Sequence, residues 1–197
     1  MQRSVTAALS VLALALTAGA SEVAAQDAPG CWLARGTKAQ AAERTSPLDS
    51  ASVRLGGDEA KVCYGAPSAR GREIMGGLVP YDTPWRAGAN EATNLHLTFG
   101  AEVAGVELDP GSYSVYTVPG EETWEIVLNG NDQRWGIPID SGVREADIGI
   151  GSVTPESTDE MVEQMRFRWV KNDETSADLL LEWEDTRIRI PVERTGM

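Results

Sequence analysis

From Ser46 onward, apolar and polar residues alternate with a period of two in one short run after another. Such alternation marks half-buried strands, because successive strand side chains point to opposite faces. Ser50 to Leu55 and Ala60 to Tyr64 flank Gly56-Gly57-Asp58, which predicts a hairpin. Asn94 to Phe99 sets Leu95, Leu97 and Phe99 against polar neighbours. Ser112 to Val118 follows Asp109-Pro110-Gly111, a turn in which Pro presets φ and Gly accepts a positive one. After Pro119-Gly120, Trp124, Ile126 and Leu128 share one face. Met165, Phe167 and Trp169 oppose Arg166 and Arg168. Leu179 to Trp183 and Thr186 to Val192, separated by Glu184-Asp185, read as a closing hairpin. Many short strands with Gly/Pro turns predict an all-β protein: an antiparallel, jelly-roll-like β-sandwich of roughly eight to ten strands.

Three stretches depart from this rhythm. Thr158 to Gln164 fits one short helix, with Thr158 as cap and Met161-Val162 turned inward. Gly65 to Thr93 and Gly130 to Gly151 are rich in Gly and Pro and show no clear element. Loops of this length in a compact domain are uncommon and tend to be functional. The first carries Ile74, Met75, Leu78, Val79, Tyr81 and Trp85, too many large residues for a disordered segment. It is expected to be ordered and packed across the sandwich.

The N-terminus changes the picture of where the chain works. Arg3 precedes an apolar run from Val5 to Leu16, then small residues. This is the pattern of a secretory signal peptide, and the run is too short to span a bilayer. Cleavage fits after Ala25 (Val23-Ala24-Ala25) or after Ala20 (Ala18-Gly19-Ala20). The division expected is a signal peptide at 1–25, an N-terminal arm at 26–45 and one sandwich domain at 46–197, in an exported protein of the periplasm or exterior. No second long apolar segment follows, so no membrane insertion of the mature chain is expected. Pro29, two residues before Cys31, speaks against a lipid anchor there. An oxidising compartment permits a Cys31–Cys63 disulfide, which would pin the arm to a strand; two unpaired thiols are the alternative.

Of the 197 residues, 24% are charged and 42% hydrophobic, as in an ordinary globular chain. The net charge is -13, and Arg3 and Glu22 cancel in the first 25 residues, so the rest carries the same charge. A chain this acidic lacks the basic footprint that nucleic acid requires. Two cysteines and one histidine are too few for a structural zinc site, so no metal or other cofactor is expected.

The long segment reads Tyr64-Gly65-Ala66-Pro67-Ser68-Ala69-Arg70-Gly71-Arg72-Glu73-Ile74-Met75-Gly76-Gly77-Leu78-Val79-Pro80-Tyr81, followed by Trp85-Arg86-Ala87-Gly88-Ala89-Asn90-Glu91-Ala92-Thr93. In these motifs the chain resembles the bacterial domain-of-unknown-function family 2911. Ser46-Pro47, Asp49-Ser50, Pro110-Gly111-Ser112-Tyr113-Ser114, Trp135-Gly136 and Leu181-Glu182-Trp183 add to the likeness. The resemblance spans roughly Ser46 to Val192 and implies an exported β-rich protein. It implies no activity, ligand or catalytic residue.

The same segment concentrates the chemistry. Arg70, Arg72 and Arg86 are interleaved with Tyr64, Tyr81 and Trp85, and Asn90 and Glu91 follow. Guanidinium forks suit carboxylate or phosphate, and aromatic faces suit sugar rings or cations. Arg72, Tyr81, Trp85, Arg86, Asn90 and Glu91 are therefore candidates to bind a small polar ligand or glycan. The competing assignment makes them scaffold, with Arg72 or Arg86 paired to Glu73 or Glu91. Glu91 is also a candidate catalytic carboxylate of an envelope-carbohydrate hydrolase, with Asp49, Glu73 or Asp140 as partner. A third reading is a structural or protein-interaction domain without a small ligand. His96, the only histidine, falls on the polar side of its strand, a surface position. Gly71 to Gly77 lacks the ending of a phosphate loop, and Asn129-Gly130-Asn131-Asp132 lacks the spacing of a calcium loop. Trp135 is either a second pocket wall or a core or rim residue.

Overall fold

The computed structural model describes residues 26–196; residues 1–25, which carry the signal-peptide pattern, lie outside the described residues. Among the described residues, ten strands form two antiparallel sheets packed face to face, as the alternation predicts. In the larger sheet β1 (Leu48–Leu55), β2 (Asp58–Gly65), β3 (Thr93–Leu97), β6 (Gly111–Val118), β7 (Trp124–Asn129) and β8 (Asp147–Val153) lie in that order. The smaller sheet runs β5 (Val106–Leu108), β4 (Ala101–Val103), β10 (Ser176–Arg194), β9 (Pro155–Lys171). The first sheet is thus a meander from which the β4–β5 hairpin crosses to the second. Ala104 and Gly105 at its tip both have positive φ (49° and 84°), which matches the right-handed twist of the flanking strands.

The period-2 runs place their apolar faces inward. Leu95, Leu97, Trp124, Ile126 and Leu128 meet Met165, Phe167, Leu179, Leu181 and Trp183 in one buried cluster. Tyr64 packs edge-on against Phe167 with ring centroids 4.9 Å apart. Trp169 donates its indole N–H to Ala51 O at 3.1 Å, tying the two sheets together near their shared margin.

Three expectations fail, each for a reason visible in the strands. Thr158 to Gln164 is not a helix but part of β9. Its buried residues Val162 and Met165 are three apart because the register against β10 shifts at Glu182/Glu184 and Glu184/Thr186. A bulge changes the phase of alternation and so imitates helical spacing. Glu184-Asp185 is not a hairpin turn. β10 runs straight through it, and Glu184 takes up the bulge with φ 55°. The chain reverses instead near Asp173, whose carboxylate accepts from the backbone N–H groups of Thr175 and Ser176. Finally, Gly130 to Gly151 is not all loop. It holds a short helix, α2 (Ser141–Arg144), and most of β8. β8 is hard to read because its inward positions are glycines: a Cβ on Gly151 would sit 2.2 Å from Ala104 O. The sheets approach too closely at Gly149 and Gly151 for side chains, so of the inward face only Val153 is apolar, while Ile148 and Ile150 point outward.

The arm also contains structure. Thr37 caps α1 (Lys38–Ala42), its hydroxyl accepting from Gln40 N while the Gln40 side chain returns to Thr37 N. Cys31 and Cys63 are joined by a disulfide, which fastens the arm to β2. No helix among the described residues is long and apolar enough to cross a membrane.

Candidate functional site

The segment from Gly65 to Thr93 is ordered by backbone pairing with both sheets. Ala69 N donates to Glu163 O and Met165 N to Pro67 O, an added rung on β9. Ile74 and Val79 close a tight turn and are fully buried. Trp85 and Thr117 exchange backbone hydrogen bonds of 2.7 and 2.8 Å, which locks the loop to β6. Arg70, Asp82, Ala87 and Asn90 take positive φ within it. Among non-glycine residues Asn and Asp adopt that region most readily, so Arg70 (φ 53°) and the buried Ala87 (φ 50°) are held by the surrounding contacts.

A pocket of about 360 Å³ opens along this loop. Arg70, Arg72 and Arg86 line it, with Trp85, Pro84, Leu78 and Ile137 as its apolar wall and Thr45, Ser46 and Ser68 as its hydroxyl-bearing residues. Trp85 stacks on the buried Trp183, rings 6.0 Å apart at 18°, and meets Trp124 edge-on at 6.1 Å. Its ring plane is therefore fixed from behind by the core.

The three arginines are oriented by carbonyls. Arg86 donates Nε–H to Gly88 O at 3.0 Å. Arg72 donates Nε–H to Ala69 O and Nη2–H to Ser68 O. Arg70 reaches Thr45 O. Among the described residues none of the three has a carboxylate within ion-pair distance, and no Asp or Glu lines the pocket. The pairing of Arg72 or Arg86 with Glu73 or Glu91 is therefore not made. Burial lowers the Arg86 pKa from its ordinary value, since the charged form is the one desolvation disfavours.

Of the six candidate residues, Arg72, Trp85 and Arg86 come together in the pocket, and Tyr81, Asn90 and Glu91 do not line it. Tyr81 lies over Gly76. Asn90 donates its side-chain amide to Ser46 O at 2.9 Å. Glu91 is buried and held by the arm: Arg44 Nη1 donates at 2.6 Å and Ala34 N at 3.1 Å. Asp49 accepts from Tyr64 OH, and Asp140 caps α2 through Val143 N. The site reading missed Trp183 and Ile137, which arrive from distant strands and loops. Arg70, by contrast, stood in the same motif.

Gly136 decides how close the two loops come. A Cβ there would lie 2.4 Å from Arg86 Cδ and 2.9 Å from Asn90 O. Gly136→Ala is expected to cost about 1–3 kcal/mol in urea unfolding and to displace the Arg86 side chain. A variant as stable as the parent would show that Arg86 has room to move.

A second polar cluster lies on the outer face of the larger sheet. Cys63, Asn94, Ser114, Asn129 and Asp147 stand in register across five strands. Tyr116 OH and the Asn129 amide donate to Asp147, each at 2.7 Å. Burial raises the Tyr116 pKa well above its ordinary value, and the bond to Asp147 adds to it. His96 belongs to this face and is 2% exposed, not a surface residue. The arm covers its strand pair, with Ala28 N on Glu59 and Lys61 on Pro29 O. Burial, aided by the neighbouring Lys61, lowers the His96 pKa, and the ring bonds Ser112 Oγ at 2.7 Å. Trp135 is a rim residue, 40% exposed, with the Arg35 guanidinium 5.8 Å from its ring centre. Among the described residues no group of three or more His, Cys, Asp or Glu is placed to hold a metal ion.

The family model DUF2911, described as a protein of unknown function, matches residues 46–192. The chain belongs to the DUF2911 family. The match takes in both sheets, the long loop and every pocket residue except Thr45; the arm with Cys31 and Arg44 precedes it. No curated protein and no solved structure matches this DUF2911 chain.

Proposed function

We propose that this DUF2911 chain is an exported, non-enzymatic module that binds a small organic anion, its charged group on Arg70, Arg72 and Arg86 and its apolar part against Trp85. One observation carries the reading: three arginines line one pocket without a carboxylate partner among the described residues. Most other arginines among the described residues pair with acids, as Arg44 does with Glu91, Arg194 with Asp58 and Arg189 with Asp178, although Arg35 and Arg134 do not. Arg86 is partly buried, where its charge is disfavoured, and Arg70 and Arg72 stand exposed beside it, so an entering counter-charge gains most at Arg86. The apolar wall and the volume, at the small end of the ligand-pocket range of about 300–1,000 Å³, suit a single ring or short chain. Export is supported by the N-terminal pattern and by the disulfide, which belongs to oxidising compartments.

The hydrolase reading through Glu91 has less behind it. Both Glu91 oxygens are engaged by the arm, and among the described residues no carboxylate lines the pocket to act opposite it. Hydrolysis of a glycosidic bond needs two carboxylates flanking the bond.

Arg86→Ala is expected to abolish ligand binding in a thermal-shift screen of small aromatic and aliphatic acids and phosphate esters. A ligand at a hundred times its dissociation constant stabilises the parent by roughly 2.7 kcal/mol. A ligand that protects parent and variant equally would place binding elsewhere.

A further inference from the structure

We infer that the occupant of this pocket is a dianion, a phosphomonoester head on one flat apolar ring, and that charge number decides affinity. The inference rests on the anion-binding reading above and goes further in naming the head group. Three features of the donor set carry it.

The first is the state of each fork. Arg86 spends Nε on Gly88 O, and its terminal nitrogens make no hydrogen bond to the described residues. They form an end-on fork suited to two oxygens of one group. Arg72 spends Nε and Nη2 on Ala69 O and Ser68 O, which leaves Nη1. Arg70 spends Nη2 on Thr45 O. The carbonyl bonds orient the three side chains and neutralise none of them.

The second is charge number. A carboxylate can take three arginines on its two oxygens, as Glu182 does, but it brings only one negative charge. A phosphomonoester has three terminal oxygens and carries about -1.5 to -2 at neutral pH, enough to engage all three arginines. A monoanion would leave the pocket with a surplus of two positive charges; a dianion reduces it to one.

The third is the wall. Trp85 is fixed edge and back by Trp124 and Trp183, and Leu78 and Ile137, both about half exposed, stand at the rim. A rigid indole of this kind receives a ring at little entropic cost. The volume of about 360 Å³ leaves little space for a second ring.

The test is calorimetric titration of the purified protein, in buffer without phosphate or sulfate, with phenyl phosphate, phenyl sulfate, benzoate and inorganic phosphate. Phenyl sulfate has nearly the shape of phenyl phosphate and one charge fewer. Phenyl phosphate is expected to bind about tenfold more tightly than phenyl sulfate near pH 7.5, the effect of one further charge at a partly exposed cluster. The preference should fade toward about pH 5, because the second phosphate proton binds with a pKa of about 6 while the sulfate ester does not titrate. Inorganic phosphate should bind more weakly than phenyl phosphate, since it leaves Trp85 uncovered. Arg72→Gln should weaken phenyl phosphate more than phenyl sulfate and so reduce the preference. Equal affinity of the two esters near pH 7.5, with both lost in Arg86→Ala, would overturn the dianion and leave an anion site. If no probe binds the parent protein, the anion-site reading falls and the dianion with it. The pH comparison uses the parent chain alone, so it holds whether or not a variant folds.

Discussion

Replacing Glu182 with Gln is expected to destabilise the protein by about 3 kcal/mol at neutral pH, the low end of the range for removing one partner of a buried ion cluster. The Glu182 side chain is 0% exposed, roofed by three guanidinium groups. Arg166, Arg168 and Arg187 donate to its two oxygens at 2.7–3.0 Å. The bulge at Glu184 allows this: Arg187, five residues on in the same strand, folds back onto the carboxylate from which Arg166 and Arg168 approach across β9. Burial by itself would raise the Glu182 pKa, but the bonds from Arg168, Arg187 and Arg166 outweigh it and hold the carboxylate at about 2, against an ordinary 4.5. The low end of the range applies because Arg166 and Arg168 are about half exposed and remain partly hydrated without their partner.

The sign of the pH dependence follows from that depressed value. A carboxyl with a lower pKa in the folded state contributes stability above its unfolded pKa, and the contribution is lost as pH falls through the folded one. The stability difference between parent and Glu182→Gln should therefore be full at neutral pH, shrink below about 4.5 and nearly vanish at about 2. Urea unfolding of both proteins at several pH values measures it. A difference that stays constant down to pH of about 2 would mean that the carboxylate charge is not what holds the three arginines.

Removing the disulfide, through Cys31→Ser with Cys63→Ser, is expected to cost roughly 3–4 kcal/mol on a loop-entropy estimate. The two cysteines are 32 residues apart, and the loop between them contains the whole arm beyond Cys31 and β1. The larger consequence is local. Glu91 has the arm's Arg44 and Ala34 as its partners, so a released arm leaves a buried carboxylate without them. Thr45 O and Ser46 O, which hold Arg70 and Asn90, follow from the same segment. Hydrogen exchange at the Ala28 and Ala34 amides should accelerate in the double variant, because both donate to carboxylates that the arm must reach. Unchanged exchange there, with a stability loss below about 1 kcal/mol, would show that the arm docks through its own contacts.

Much of the sandwich was written in the alternation. Leu95 and Leu97, or Trp124, Ile126 and Leu128, point one way because a strand has no alternative, and burying that face is what drives the sheets together. The Asp109-Pro110-Gly111 and Gly56-Gly57 turns are equally local, and the structure starts and ends strands at both. The composition of the Gly65–Thr93 segment was enough to predict an ordered loop, because Ile74 and Val79 had to be buried somewhere. What remained illegible depends on partners distant in the chain. The β10 bulge takes its meaning from β9, and β8 from the close approach of Ala104. The surface position assigned to His96 was wrong because a polar strand face says nothing about an arm laid over it. Within the site, local sequence grouped Arg70, Arg72, Trp85 and Arg86 in one motif, and the structure gathers them around one pocket. It was the tertiary structure that turned Glu91 toward Arg44, set Trp183 behind Trp85 and left the three arginines without an acid among the described residues. Strand faces and turns follow from bonds between near neighbours in sequence, whereas charge pairing is settled by which groups the folded chain brings within a few ångströms.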